Sequence, residues 1–190
     1  MNKTQTLQKI YEESGRLLVK KGYDAITIDE ICAASDISKP TFYAYNLTKR
    51  DLLIHLFNAA PASDLPFEAS LDEDFEYLPL IYRSIDRIAS RLYYYGPDLL
   101  RDLLKLHLVS PALEEIMDRE WADELTDLIA EAQLHREILS SSHPVKLMEA
   151  LSTYLIGRSF RYALDRSEDH CVKLNEGVDV ILRKRPDHES

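Results

Sequence analysis

Between Thr27 and Lys49 the chain carries three helix starts in close succession, and this punctuation constrains the fold more than any bulk property. Thr27 is an N-cap whose capping box closes with Glu30, ahead of the apolar pair Ile28 and Ile31. The spacing predicts a short helix running to about Ala34. Ser35 and Asp36 interrupt it, and Asp is one of the few non-glycine residues that tolerates the left-handed backbone a sharp helix-to-helix turn requires. Ser38 caps a second helix with Pro40 at its second position, where the missing N–H costs little because first-turn amides have no intrahelical acceptor. Thr48 caps a further helix that Lys49 opens. Helix, tight turn and helix within about twenty residues is the helix-turn-helix arrangement, whose second helix enters the major groove of DNA.

The flanking residues fit a small three-helix core. Leu7, Ile10, Tyr11, Ser14, Leu17 and Leu18 fall at helical spacing and predict an amphipathic first helix over 4–20, ended by Gly22, with Lys20 and Lys21 complementing its dipole. Ile26, Ile28, Ile31, Ile37 and Phe42 supply the core, and Cys32 stands where a small residue lets two helices approach. Lys39, Thr41, Tyr43 and Tyr45 then face outward beside Phe42. In a groove Lys39 reaches phosphate or a guanine edge, Thr41 a base or a thymine methyl, and the two tyrosines donate hydroxyls to phosphates. Taken alone, the same pattern also suits a polar helix face with two half-buried aromatics.

Four segments occur in an order and at a spacing that resembles the N-terminal domain of TetR/AcrR-type transcriptional regulators, over about residues 7–57. They are Lys21-Gly22-Tyr23-Asp24, Thr27-Ile28-Asp29-Glu30-Ile31, Ile37-Ser38-Lys39-Pro40-Thr41-Phe42-Tyr43 and Lys49-Arg50-Asp51-Leu52-Leu53. The resemblance implies a DNA-binding surface of Thr27, Ser38, Lys39, Pro40, Thr41, Tyr43, Tyr45 and Lys49, with Lys49 as phosphate clamp at a helix N-terminus. It also implies a homodimer on a pseudo-palindromic double-stranded operator, and a small-molecule effector held by the second domain. The chain departs from the family pattern at Asp36, where glycine is usual, and at Asn46, where phenylalanine is usual.

Charge supports the same division. Residues 1–58 hold 8 Lys and Arg against 7 Asp and Glu, whereas residues 59–190 hold 15 against 26, so the net charge of −10 belongs to the second part. An acidic body orients a near-neutral reader toward DNA, although it serves equally well simply to keep a protein soluble. Pro61 to Pro66 interrupts the helical pattern and reads as the linker, giving a helix-turn-helix domain over 1–58 and a helical effector-binding and dimerisation domain over 59–190. The absence of a run of eighteen apolar residues and of an N-terminal apolar segment predicts a cytoplasmic protein with no membrane span. Cys32 and Cys171 lack CxxC spacing and read as buried thiols.

Beyond about residue 70 the pattern is again helical, so the fold class is all-α. Phe75 through Tyr95 predicts a long helix ending at Gly96, Pro97 begins another, and Pro111 begins one that carries Leu113, Ile116, Trp121, Leu125, Ile129 and Leu134. Helices over about 145–165 and 168–184 follow. Apolar width on these last two exceeds what one seam needs, and Gly157 and Gly177 permit close approach. They are therefore expected to form the dimer interface through Leu147, Leu151, Tyr154, Leu155, Arg158, Tyr162, Leu174, Val178 and Ile181.

Eleven tyrosines suit an apolar pocket with polar tips, for which Tyr82, Tyr94, His107, Trp121, Tyr154 and Phe160 are the candidates; each also suits ordinary core packing. None of the six histidines pairs with another at the i, i+4 spacing of a helical metal site, and Glu114, Glu115, Asp118 and Glu120 read as a solvated run. The sequence thus predicts no cofactor, no metal and no catalysis. It leaves open a repressor, an activator without effector, or a helix-turn-helix fold used as a protein-interaction module.

Overall fold

The computed structural model describes residues 2–61, 76–165 and 170–184, the side chains of the last span from Leu174 onward. Among these residues the chain forms α1 (Lys3–Lys21), α2 (Ile28–Ser35), α3 (Lys39–Tyr43), α4 (Lys49–Asn58), α5 (Leu78–Tyr93), α6 (Gly96–His107), α7 (Arg119–Leu134), α8 (Pro144–Leu164) and α9 (His170–Leu182). A short 3-10 turn spans Leu113–Glu115. The pairing of Ile138 with Lys184 is an isolated bridge, and no strand forms among the described residues. The chain is all-α.

Two compact units are present. One holds the described residues of 1–61 together with 91–116, the other those of 62–90 together with 117–190. The grouping sets α6 beside the N-terminal helices, within one unit.

In the first unit α1 ends where Gly22 takes φ 79° and its N–H bonds the Leu18 carbonyl at 2.8 Å. Ile10, Leu18, Ile26, Ile31, Phe42, Leu52, Leu53 and Phe57 are almost entirely buried. Each such side chain contributes roughly 1.5–3 kcal/mol of transfer free energy. Ile28 and Ile37 are half-buried at the margin of this core. Cys32 is buried, and the low polarity around it pushes its thiol pKa up. Leu99, Leu100, Leu103 and Leu104 give α6 a buried face, and Tyr95 meets Phe57 edge-on at 5.6 Å between ring centroids.

In the second unit the core is built from Ile81, Ile85 and Ile88 on α5, Trp121, Leu125 and Ile129 on α7, Leu147, Leu151 and Leu155 on α8, and Leu174, Val178 and Leu182 on α9. The continuous helix expected from Pro111 to Leu134 is divided. Ala112, Leu113 and Ile116 are buried in and around the short 3-10 turn, and Asp118 then restarts the chain by accepting the Trp121 N–H at 2.9 Å. A cap with a carboxylate at a helix start is enough to separate two helical segments that share one apolar period. The long α5 ends at Tyr93, three residues before the expected end at Gly96, while Phe75 lies outside the described residues, as does the linker beyond Pro61 and the side chain of Cys171. Close approach of α8 and α9 occurs at Gly177, where a β-carbon would stand 2.1 Å from the Tyr154 ring; at Gly157 nothing lies within 4 Å.

Candidate nucleic-acid interface

All three N-caps read from the sequence form. Thr27 Oγ1 accepts the Glu30 N–H at 3.2 Å while Glu30 accepts the Thr27 N–H at 3.0 Å. Thr48 and Asp51 repeat the box, with Asp51 accepting the Thr48 N–H at 2.8 Å. Ser38 Oγ accepts the Thr41 N–H at 3.2 Å, and Pro40 sits in the first turn of α3. Asp36 takes φ 58° and ψ 47°, the left-handed corner between α2 and α3, in place of the glycine the family pattern has there. Asn46 is also left-handed, with φ 55°, and this gives the second departure a physical role: Asn tolerates that conformation, so it turns the chain out of α3 toward the Thr48 cap.

Phe42 is wholly buried and anchors α3, leaving Lys39, Pro40, Thr41 and Tyr43 exposed on its outer side. Tyr43 is 58% exposed and braced by an edge contact to Phe42 at 5.7 Å. The Thr41 hydroxyl lies 2.8 Å from that of Ser38. Lys39 Nζ stands 2.7 Å from Asp29 Oδ1, and the hydrogen bond between them raises the lysine pKa. Tyr45 is half-buried: its hydroxyl donates to the Lys3 carbonyl at 3.1 Å, tying the end of α3 to the start of α1. Lys49 opens α4 with its ammonium 4.5 Å from the Tyr23 ring centroid and its Nζ donating to the Ile26 carbonyl at 2.9 Å. Burial, followed by the nearby Asp24 carboxylate, raises the Tyr23 pKa. Lys21, at the end of α1, is paired with Glu30. Asp29, Tyr23 and Ile26 were not singled out in the sequence as partners of these lysines, because contacts across a turn leave no periodic signal.

The effector candidates are not gathered within one unit. Tyr94 and His107 belong to the first, where Tyr94 is 58% exposed and His107 accepts the Leu113 N–H at 3.3 Å. The other four belong to the second: the Trp121 indole donates to the Ser84 carbonyl at 3.0 Å in the core, Tyr82 donates to Asp179, and Tyr154 and Phe160 are half-buried. A recess of about 790 Å³, which the sequence did not suggest, opens in the first unit between α1 and α4 against Leu7, Tyr11, Val19, Leu56 and Tyr95.

Of the residues expected at a dimer interface, Leu147, Leu151, Leu155, Arg158, Leu174 and Val178 are buried by the chain's own packing, and Tyr154, Tyr162 and Ile181 are half-buried. The outer side of α8 and α9 presents Gly157, Arg161, Leu164, Glu176 and Val180 instead. No cluster of three metal-ligating side chains occurs among the described residues. No described helix is long and apolar enough to cross a membrane.

Three capped helices around a buried Phe42, with a polar and aromatic second helix facing solvent and a lysine at the next helix start, define a helix-turn-helix DNA-binding transcriptional regulator. Residues 10–56 match the model of the bacterial regulatory proteins of the tetR family. An uncharacterized HTH-type transcriptional regulator of Mycobacterium bovis is 28% identical over 174 residues, covering 88% of this chain and 81% of the relative, and one of Mycobacterium tuberculosis aligns to the same extent. The chain is thus similar over residues 10–56 to the bacterial regulatory proteins of the tetR family, and over most of its length to HTH-type transcriptional regulators. In fold it resembles the fatty acid degradation regulator FadR of Bacillus halodurans, with a TM-score of 0.65 at 15% identity over 97% of this chain and 100% of that one. A Saccharomonospora viridis protein solved in complex with choline gives a TM-score of 0.61 at 16% identity over 95% and 97%.

Proposed function

We propose that this regulator is a ligand-responsive repressor that binds a pseudo-palindromic operator as a homodimer in the cytoplasm, with residues 1–58 reading DNA and 59–190 serving effector binding and dimerisation. The observation that carries the DNA contacts is the outward face of α3, raised from the buried Phe42 between the capped ends of α2 and α4. Lys39, Thr41 and Tyr43 enter the major groove. Thr27, Ser38 and Pro40 set helix starts against the backbone, and Lys49 meets a phosphate at the N-terminus of α4, where the helix dipole adds to its charge. Tyr45 acts through its bond to Lys3, fixing the end of α3.

Six of the nine expected interface residues are core within one chain, so the partner copy meets the outer face of α8 and α9. Leu164 and Val180, 78% and 76% exposed, are the apolar groups there. Two-fold pairing then sets two copies of α3 at a fixed spacing, and an effector acts by changing that spacing. A fold neighbour is solved with choline and another is named for fatty acid degradation, which makes a small organic molecule the class to test. The activity proposed is binding, not catalysis.

Selection of bound duplexes from random DNA tests the core of this reading. A two-fold symmetric motif is the expected result, and recovery of no motif overturns it. Sedimentation showing only monomer at micromolar concentration removes the dimer, and operator affinity unchanged by every ligand that binds removes the effector.

A further inference from the structure

The loop between α1 and α2 is fastened to α6 through Asp102 and Lys105 and carries both groups that hold Lys49. Asp102, on α6, accepts the backbone N–H of Tyr23 at 3.0 Å. Its side chain is only 14% exposed, and its Oδ2 lies 3.5 Å from where a β-carbon on Gly22 would stand, so the loop runs directly over the carboxylate. Lys105, one turn of α6 later, sits 3.0 Å from Asp102 and 3.5 Å from Asp24, and so draws the loop onto α6. From the same loop the Tyr23 ring faces the Lys49 ammonium at 4.5 Å and the Ile26 carbonyl accepts from it at 2.9 Å. A second tie runs beside the first: Arg50 Nε donates to Ser110 Oγ at 2.7 Å and its guanidinium pairs with Glu115, fixing the residue after Lys49 to the segment that follows α6.

We propose that Asp102 is a positioning residue for the DNA contact: through Tyr23 it sets where the Lys49 ammonium stands at the start of α4. The inference rests on the reading that Lys49 meets a phosphate. A lysine side chain is long and loses much rotamer freedom when it is fixed. An aromatic face and a carbonyl that confine it beforehand reduce the ordering left for the moment of binding. The ammonium has three donors, so one remains on Ile26 while another turns to phosphate. Asp102 does not touch DNA. Its effect is transmitted only because ring and carbonyl both belong to the segment it holds.

The test has one arm without DNA. In the free protein the Lys49 Cε methylene protons are expected upfield of an ordinary lysine, because the ammonium they adjoin stands 4.5 Å from the Tyr23 ring centroid. Asp102→Ala moves them to the ordinary position, whereas Asp102→Asn, which keeps an oxygen acceptor, leaves them upfield. In the DNA arm, D102A weakens binding to the selected operator roughly tenfold, the scale expected for a lost hydrogen bond to a charged group. It lowers the salt slope by about 0.9 per half-site, and it adds nothing in a Lys49→Ala background. If D102A does not fold, Asp102→Ser, whose hydroxyl is too short to reach the Tyr23 N–H, carries the same test, and Tyr23→Leu separately gives the share of the ring. An unmoved Lys49 signal in D102A, or a loss that adds fully to that of K49A, overturns the positioning role. A K49A protein with wild-type affinity overturns the phosphate contact instead, and the resonance arm still decides the positioning.

Discussion

The Lys39 ammonium lies 2.7 Å from the Asp29 carboxylate, so the exposed cation of α3 is already paired with a residue of α2 before any DNA arrives. Both side chains are more than half exposed, at 51% and 67%, and a pair of that kind is readily exchanged for a phosphate.

Asp29→Asn is expected to tighten DNA binding severalfold and steepen its salt dependence by up to about 0.9 per half-site, because it frees Lys39 and removes an anion facing the duplex. Titrations of a labelled operator at a series of salt concentrations measure both. The gain should vanish in a Lys39→Ala background; a gain that persists there assigns the effect of Asp29 to general repulsion.

Gly177 is expected to tolerate no side chain. A β-carbon there would stand 2.1 Å from Tyr154 Cζ, and α8 and α9 must part or the ring must rotate out. Gly177→Ala should cost about 1–3 kcal/mol, the range for forcing a packed side chain from its place, and lower the melting temperature accordingly. Adding Tyr154→Leu should restore part of the loss. Gly157→Ala, with nothing within 4 Å of the new carbon in the single chain, should leave monomer stability unchanged or higher and so serves as the paired control.

Thr48→Ala removes the acceptor for the Asp51 N–H and half of the capping box, at a cost of about 1 kcal/mol. The proposed phosphate site is the same helix start, so DNA affinity should fall with it. Serine, which keeps the hydroxyl, should preserve both, and urea denaturation alongside operator titration separates the two readouts.

His55 stacks on Tyr11 with ring centroids 3.5 Å apart, and burial holds its pKa below the ordinary value of 6.5. The folded state therefore favours the neutral ring, whereas the unfolded chain takes up a proton near 6.5. His55 contributes its stability in full above that pH, and the contribution is lost as pH falls through the lower folded value. Thermal melts between about pH 5 and 8 should show this slope flattened in His55→Gln. A variant with the wild-type slope would assign the acid sensitivity elsewhere.

The helix starts at Thr27, Ser38 and Thr48, the left-handed corner at Asp36 and the stop at Gly22 were all legible in the sequence, because each needs only contacts three or four residues apart. The buried faces were legible for the same reason, since a period near 3.6 reports which side of a helix avoids water. What lies against that side is a different quantity. Leu147, Leu151 and Leu155 were correctly read as an apolar stripe, yet their partners are in the same chain, and the stripe alone does not distinguish that from a second subunit. The break at Asp118 was hidden for a related reason: the apolar spacing on either side of it continues in phase.

The sequence by itself thus determined the all-α class, the helix-turn-helix and the exposed groups of α3, which follow from local capping and from the burial of Phe42. Only the tertiary structure decided that Lys39 is paired with Asp29, that Tyr45 is tied to Lys3, and that Lys49 rests on a loop held by Asp102, 79 residues from Tyr23 in the chain. Such contacts depend on where packing brings two separate segments, and neither segment's own pattern carries that information.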